Sequence, residues 1–319
     1  MMDEIVLSGD LGGTNLRLAA VDRSGKMLHR TEAHTPRHSN AEKIVEITAS
    51  LAAECSAKLD AVPESLVFAV PGPIDAETGR LFNVPNLPEL RGSNLRSMLA
   101  EKLGIEVQLE NDATAAAVGE HWKGASQGCG SSICLTLGTG VGGGIILNGE
   151  PLRGPDGTAG EIGHVCVEPL GHPCGCGSRG CLEQYASATA IGRMARELLP
   201  EFPASALNQA GDFDAQKIYD LGKAGDALCR EAFRRAGMYL GVALAGLINV
   251  LNPEAVVIGG GAASGWDLFI EPLKEEIGVR AFREPAERAR IVRASLGNDA
   301  GIIGAAYLAF ARKDALSGS

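Results

Sequence analysis

One pattern occurs twice in this chain, and it limits the possible folds more than any single motif does. An apolar run over residues 4–10 leads into Gly12-Gly13-Thr14, a second run over 15–21 and the turn Ser24-Gly25. Residues 131–137 begin the same series again, with Gly138-Thr139-Gly140, a run over 142–147 and the turn Asn148-Gly149. Short apolar runs bounded by glycine turns read as buried strands. Two copies predict a duplicated fold with one glycine-turn hairpin per domain, and they are too few for a solenoid. Around the first copy, strands are predicted over 27–32, 66–70 and 107–110. Helical spacing covers 41–58, and a helix over 114–121 is capped by Asn111 or Asp112. Around the second, helices are predicted over 188–199, 215–223 and 227–250, then a strand over 254–258 and a helix from 266. A strand over 290–294 and a helix over 300–312 close the chain. The class is therefore α/β, with a first domain over 1–112, a second over 113–299, and a last helix (300–319) packing back on the first. No low-complexity linker separates the halves, so they are expected to share a cleft.

Glycine is abundant, at 42 of 319 residues, which suits a protein that brings its main chain close to a ligand. Three glycine turns each follow an apolar run: after Leu11, after Leu137, and after Ile258, where Gly259-Gly260-Gly261 stands. Unobstructed backbone N–H groups make such turns good phosphate cradles, and Thr14 and Thr139 add hydroxyls. An ordinary hairpin turn would explain any one of them. Three together point to a nucleotide. Gly138, Gly140 and Gly143 also fit G-x-G-x-x-G, but that fingerprint needs a helix next, and Gly144-Ile145-Ile146-Leu147 reads as strand. No G-x-x-x-x-G-K-[ST] occurs. A dehydrogenase is disfavoured and a P-loop enzyme excluded, which leaves a cleft between duplicated domains that closes on a nucleotide.

The run from Cys174 to Glu183, Cys-Gly-Cys-Gly-Ser-Arg-Gly-Cys-Leu-Glu, crowds three thiols among glycines. Packing gives no reason for this, whereas convergence of thiolates on a soft ion does, and Cys3His zinc is the common outcome. His164 and His172 both lie close upstream, and spacing does not choose between them. Disulfides are the other explanation for the thiols. They are disfavoured because eight cysteines are sparse in 319 residues and the N-terminus carries no secretory pattern. The formal charge of −10 argues against nucleic-acid and membrane surfaces, and the most apolar stretch, 238–251, is too short to span a bilayer. The expectation is a cytoplasmic protein with a small-molecule partner.

Several of these motifs together resemble one family. Asp10-Leu11-Gly12-Gly13-Thr14-Asn15-Leu16-Arg17, Glu110-Asn111-Asp112-Ala113, the run from Leu137 to Gly144, Glu161-Ile162-Gly163-His164 and the cysteine run are similar to the ROK family of sugar kinases and repressors. Within it, the stretches from Asn83 to Leu90 and from Tyr185 to Thr189 resemble those of bacterial ATP-dependent glucokinases. Ala69 departs from the family, which more often has glycine there.

The resemblance implies two ribonuclease-H-like domains of the actin and hexokinase type around a central cleft, with a small zinc-bound loop over 164–183. It implies transfer of the ATP γ-phosphoryl group to the 6-hydroxyl of a hexose, glucose first, with N-acetylhexosamines or fructose as alternatives. A sugar-responsive transcriptional regulator is the alternative from another class. Such regulators carry a helix-turn-helix ahead of the first strand, for which a strand starting at residue 4 leaves no room.

Asp112, otherwise explained as a helix cap, becomes the base. Gly72, Asn86, Asn111, Glu161, His164 and Glu183 join Asp112 as sugar contacts, although a solvated surface would also explain the two glutamates. His164, Cys174, Cys176 and Cys181 become the ligands of a structural Zn²⁺. For the nucleotide, Gly12, Gly13, Thr14, Gly138 and Thr139 are expected at the phosphates, with Gly259, Gly260 and Gly261 near the adenosine. Asp10 is expected to organise Mg²⁺ through water. A homodimer is also implied.

Overall fold

The computed structural model describes residues 4–59, 63–75, 78–82, 84 and 87–317. The chain opens with β1 (Ile5–Leu11), β2 (Asn15–Asp22), β3 (Met27–His34), α1 (Ala41–Leu59), β4 (Ser65–Val70), α2 (Leu95–Leu103), β5 (Glu106–Asn111) and α3 (Asp112–Lys123). It continues with β6 (Ser132–Leu137), β7 (Val141–Leu147), β8 (Glu150–Pro151), α4 (Glu183–Ala186), α5 (Ala188–Leu198), α6 (Ala215–Lys223) and α7 (Ala227–Leu251). It closes with β9 (Ala255–Gly259), α8 (Trp266–Arg280), α9 (Arg283–Arg288), β10 (Arg290–Arg293) and α10 (Ala300–Ser317).

Both predicted hairpins form, and each seeds a five-stranded sheet, ordered β3-β2-β1-β4-β5 and β10-β9-β6-β7-β8. Read from the other edge, the second order repeats the first, strand for strand. In the first sheet β1 pairs antiparallel with β2 and parallel with β4, and β4 pairs parallel with β5. In the second, β9 pairs parallel with both β6 and β10. The duplication read from the sequence is therefore a duplication of topology. The copies differ in the crossover after the three hairpin strands, where α1 alone bridges in the first. In the second, residues 152–254 carry the cysteine run and α4 to α7.

Strand period sets the first core. Along β1 and β4, Leu7, Leu66 and Phe68 face α1 and α2, together with Leu11, Leu16, Leu18, Ile44, Leu51, Leu95 and Leu99. Val6, Ala19, Val21 and Val67 point to the opposite face, which Ile302, Ala305, Ala306, Ala309 and Phe310 of α10 cover. The last helix packs against β1, β4 and α3. Glu120 of α3 is fully buried and fixes this return. Its carboxylate accepts from the amides of Ala125 (2.7 Å), Ser295 (3.0 Å) and Leu296 (2.8 Å).

The chain groups into two compact units, 1–128 with 144–160 and 295–319, and 129–143 with 161–294. The division thus falls later than the expected boundary at 112/113, because α3 belongs with the sheet it follows. No described helix is long and apolar enough to cross a membrane.

Candidate active site

In the first unit, the end of β5 settles what Asn111 and Asp112 do locally. The Asn111 side chain accepts from the Thr114 amide at 3.0 Å, so the helix cap is Asn111, and Asp112 is the first residue of α3. The Asn111 Nδ2 donates to the Gly72 carbonyl at 3.2 Å, which joins two of the predicted sugar contacts. Glu110 braces the pair from behind. Its Oε1 accepts from the Asn111 amide at 3.0 Å, and its Oε2 accepts from Arg153 Nε and Nη2 at 2.9 and 2.7 Å. Nothing in the spacing of the sequence pointed to Arg153, which lies 43 residues from its partner. Asn86 lies outside the described residues.

Asp10 is the last residue but one of β1, opposite Arg17 across the hairpin and beside Ala69 on β4. Burial pushes its carboxyl pKa up, against the pull of Arg17, whose Nη1 is 3.5 Å away, and of Arg30. A carboxylate that the fold keeps from water gains from a nearby cation. The turn beyond it is tight, with the Gly12 amide donating to the Asn15 carbonyl at 2.9 Å. Thr35 holds it at two points: its hydroxyl donates to the Gly12 carbonyl at 3.0 Å and its amide to the Thr14 carbonyl at 2.7 Å. Gly13 and Thr14 are exposed.

In the second unit, His164, Cys174, Cys176 and Cys181 converge, with one ligand atom from each lying within 4.8 Å of all the others. Cys174 Sγ is 3.6 Å from His164 Nδ1, and Cys176 Sγ is 3.7 Å from Cys181 Sγ. Ligands held tetrahedrally at about 2.0–2.3 Å from a zinc ion stand roughly 3.5–3.8 Å apart, so both spacing and donor chemistry fit that metal. All eight cysteines are free thiols. Burial and the adjoining Cys174 and Cys176 push the Cys181 thiol up to about 12, while a backbone hydrogen bond from Ser178 draws Cys176 down.

The histidine that lies beside the thiols is His164. His172 turns away, its ring against Tyr185 and its Nε2 3.9 Å from Glu197. His164 presents Nδ1 to the thiols and Nε2 toward Glu161, 3.9 Å away.

The two glutamates differ. The Glu161 side chain is 44% exposed, and desolvation together with the Glu183 charge still raises its pKa. Glu183 is half-buried and begins α4, with its Oε2 accepting from the Val141 amide at 3.0 Å. Two glycines permit these approaches: a Cβ on Gly140 would fall 2.3 Å from Glu183 Oε2, and one on Gly163 would fall 2.0 Å from the Val141 carbonyl. The Glu-x-Gly-His motif needs its glycine for that contact.

Beside the same turn lies a cavity of about 320 Å³, lined by Gly138, Thr139, Ala188, Phe233, Gly261 and Ala262, with Asp214 and Gln216 from the head of α6. Three of the residues expected at a nucleotide, Gly138, Thr139 and Gly261, thus meet at one cavity. Gly259 and Gly260 are not among its lining residues. Phe233 and the head of α6 escaped the sequence reading, because an apolar helical residue and a helix-capping aspartate are unremarkable by themselves.

The family model described as "ROK family" matches residues 6–312. The chain belongs to the ROK family. Among its ROK relatives, a glucokinase of Halalkalibacterium halodurans is 37% identical over 318 residues, spanning 97% of this chain and 96% of that protein. A glucokinase of Thermotoga maritima is 38% identical over 312 residues, 96% of this chain and 98% of that one. A ROK glucokinase of Streptomyces griseus, solved in complex with glucose and AMPPNP, is 34% identical with a TM-score of 0.80, over 95% of this chain and 98% of its own. The ROK resemblance drawn from the motifs therefore holds for nearly the whole chain.

Proposed function

We propose that this protein is an ATP-dependent glucokinase, transferring the γ-phosphoryl group of ATP to the 6-hydroxyl of glucose. The observation that carries this is the full-length likeness to the Streptomyces griseus glucokinase that binds glucose and AMPPNP. In this reading the sugar oxygen attacks the γ-phosphorus, the bond to the oxygen bridging the β- and γ-phosphorus atoms breaks, and ADP leaves. Asp112 accepts the hydroxyl proton, help typically worth about 10²- to 10⁴-fold. The N-cap of α3 is Asn111, so capping does not account for Asp112, and this supports the assignment.

Asn86, Asn111, Glu161, His164 and Glu183, with the backbone at Gly72, hold the hexose hydroxyls. Gly12, Gly13, Thr14, Gly138 and Thr139 face the phosphates, and Gly261 borders the adenosine. Mg²⁺, when bound, supplies charge neutralisation at the phosphates, and Asp10 would hold its water shell. Zn²⁺, when bound by His164, Cys174, Cys176 and Cys181, supplies structure, because four protein ligands leave no position for a reacting water. His164 Nε2 then remains available to a sugar hydroxyl. A homodimer is expected, and sedimentation would check it.

The deciding experiment measures ADP release over a panel of hexoses, with ATP and polyphosphate as donors. The highest kcat/KM is expected for glucose with ATP. Strong turnover of an N-acetylhexosamine or fructose with a flat response to glucose would overturn the substrate. Tight operator-type DNA binding with no ADP release for any sugar would overturn the kinase.

A further inference from the structure

The segment that follows the last cysteine of the cluster meets the nucleotide-facing turn three times within seven residues. Glu183 Oε2 accepts from the Val141 amide at 3.0 Å, the Ala188 amide donates to the Gly138 carbonyl at 2.9 Å, and the Thr189 hydroxyl donates to the Thr139 carbonyl at 2.8 Å. Three residues of the turn are thus held by one stretch of chain. That stretch begins at Cys181, a member of the metal cluster, and it has little slack. Cys181, Leu182, Tyr185, Ala186 and Ser187 are all buried. The Leu182 amide is tied to the Val165 carbonyl at 2.9 Å, and the amides of Tyr185 and Ala186 close a helical turn on the Leu182 carbonyl at 2.9 and 3.0 Å. Ser187 then caps α5 by accepting from Ala190 at 3.0 Å. Within the turn itself, the Gly138 amide donates to the Gly140 carbonyl at 2.9 Å.

We infer that residues 181–189 form a strut through which metal binding at the cysteine cluster sets nucleotide affinity, with Thr189 and Glu183 as positioning residues for the turn. A glycine turn is an effective phosphate cradle only if its amides are already oriented, since ordering them on binding is lost affinity. Pinning Cys181 fixes one end of the strut, and its other end fixes the carbonyls of Gly138 and Thr139 at the mouth of the 320 Å³ cavity. Loss of the metal should therefore loosen nucleotide binding as well as sugar binding. This rests on the kinase reading only for the identity of the nucleotide.

The test is calorimetric titration of the whole protein with Mg-AMPPNP and MgADP, before and after removal of zinc by a chelator that spares Mg²⁺. Metal content and circular dichroism are followed in parallel. Removal of the metal is expected to weaken both nucleotides by about tenfold with secondary structure retained. In the metal-loaded protein, Thr189→Val deletes one hydrogen bond and should weaken nucleotide binding about three- to tenfold. Metal content and glucose affinity should stay unchanged. Glu183→Gln keeps an acceptor for the Val141 amide and should retain nucleotide affinity, whereas Glu183→Ala should lose it.

Unchanged nucleotide affinity in both Thr189→Val and Glu183→Ala overturns the strut, including the case in which the stripped protein unfolds. Equal loss for Glu183→Gln and Glu183→Ala also overturns the part assigned to Glu183. Because the readout is binding, absence of glucose turnover would defeat the glucokinase reading and leave this result standing.

Discussion

The two halves of this protein build the same sheet and the same glycine turn, yet they secure that turn by different means. In the first, Thr35 grips Gly12 and Thr14 from the loop that follows β3. In the second, the grip comes from Glu183, Ala188 and Thr189, beyond the cysteine cluster. A duplicated scaffold has thus become two differently controlled parts. The first offers the carboxylates proposed for proton transfer and Mg²⁺, and the second ties its turn to a candidate metal site. The lesson is that strand order was kept while the crossover after the hairpin was free to grow new chemistry.

The largest test of this division is Asp112→Asn. Turnover should fall by roughly 10²- to 10⁴-fold in steady-state kinetics, while Mg-AMPPNP affinity measured by calorimetry stays within a factor of about two. A parallel loss of nucleotide affinity would break the division of labour. Next in size is Cys176→Ser. Elemental analysis should find about one zinc per chain in the parent protein and little in the variant, with unfolding stability lower by on the order of 3 kcal/mol. Full metal content in the variant would remove the cysteine cluster from the comparison.

A pair of glutamates sharpens the contrast through stability alone. Glu120→Gln, in the first unit, leaves the amides of residues 125, 295 and 296 competing for one weaker, buried acceptor and should cost roughly 2–3 kcal/mol in denaturant unfolding. Glu231 in α7 is held instead by partly exposed arginines: Arg234 Nε and Nη2 lie 2.6 and 2.8 Å from its oxygens, and Arg235 Nε lies 2.8 Å away. Arg234 chiefly, with Arg235, pulls its pKa down from 4.5 to about 2 against desolvation. A carboxyl with a depressed folded-state pKa stabilises above its unfolded value and loses that contribution as pH falls through the folded one. Glu231→Gln should therefore cost about 1 kcal/mol at neutral pH, where solvent screens the guanidinium groups. The gap from the parent should close between about pH 4.5 and pH 2. A gap that widened on acidification would contradict the assignment.

The smallest effect is expected for Thr35→Val. It deletes the hydroxyl bond to Gly12 but leaves the amide bond to Thr14, so stability should drop by about 1 kcal/mol and metal content should not move.

Much of this architecture was legible in the residues. Short apolar runs mark the strands of both hairpins, and the glycines between them mark the turns, so the duplication is visible in the residues alone. The cysteine run identified its own cluster, because thiols among glycines have few other uses. What escaped depended on partners distant in sequence. Glu120 reads as one more glutamate in a helix until Ser295 and Leu296 are brought beside it, 175 and 176 residues later. Thr35 and Thr189 are single hydroxyls with no spacing signal, and Arg153 is known only by the glutamate it meets. Helix α2 was missed because only Leu95 and Leu99 of its nine residues are buried, too few to draw a helical stripe. The fourth cluster member was undecided by spacing, since His164 and His172 are both near enough. The ROK resemblance favours His164, whose ring lies beside the Cys174 thiol, whereas the His172 ring lies against Tyr185.

Helix α10 closes the face of the first sheet that β1, β2 and β4 begin, with Ile302, Ala305, Ala306, Ala309 and Phe310 against Val6, Ala19, Val21 and Val67. On the ribosome those strands emerge roughly 235 to 300 residues before the helix that covers them. The later unit, 129–143 with 161–294, is complete in sequence just before that helix is made. The half begun first therefore completes its packing last, and until then the apolar face that α10 covers stays open to chaperones and to aggregation.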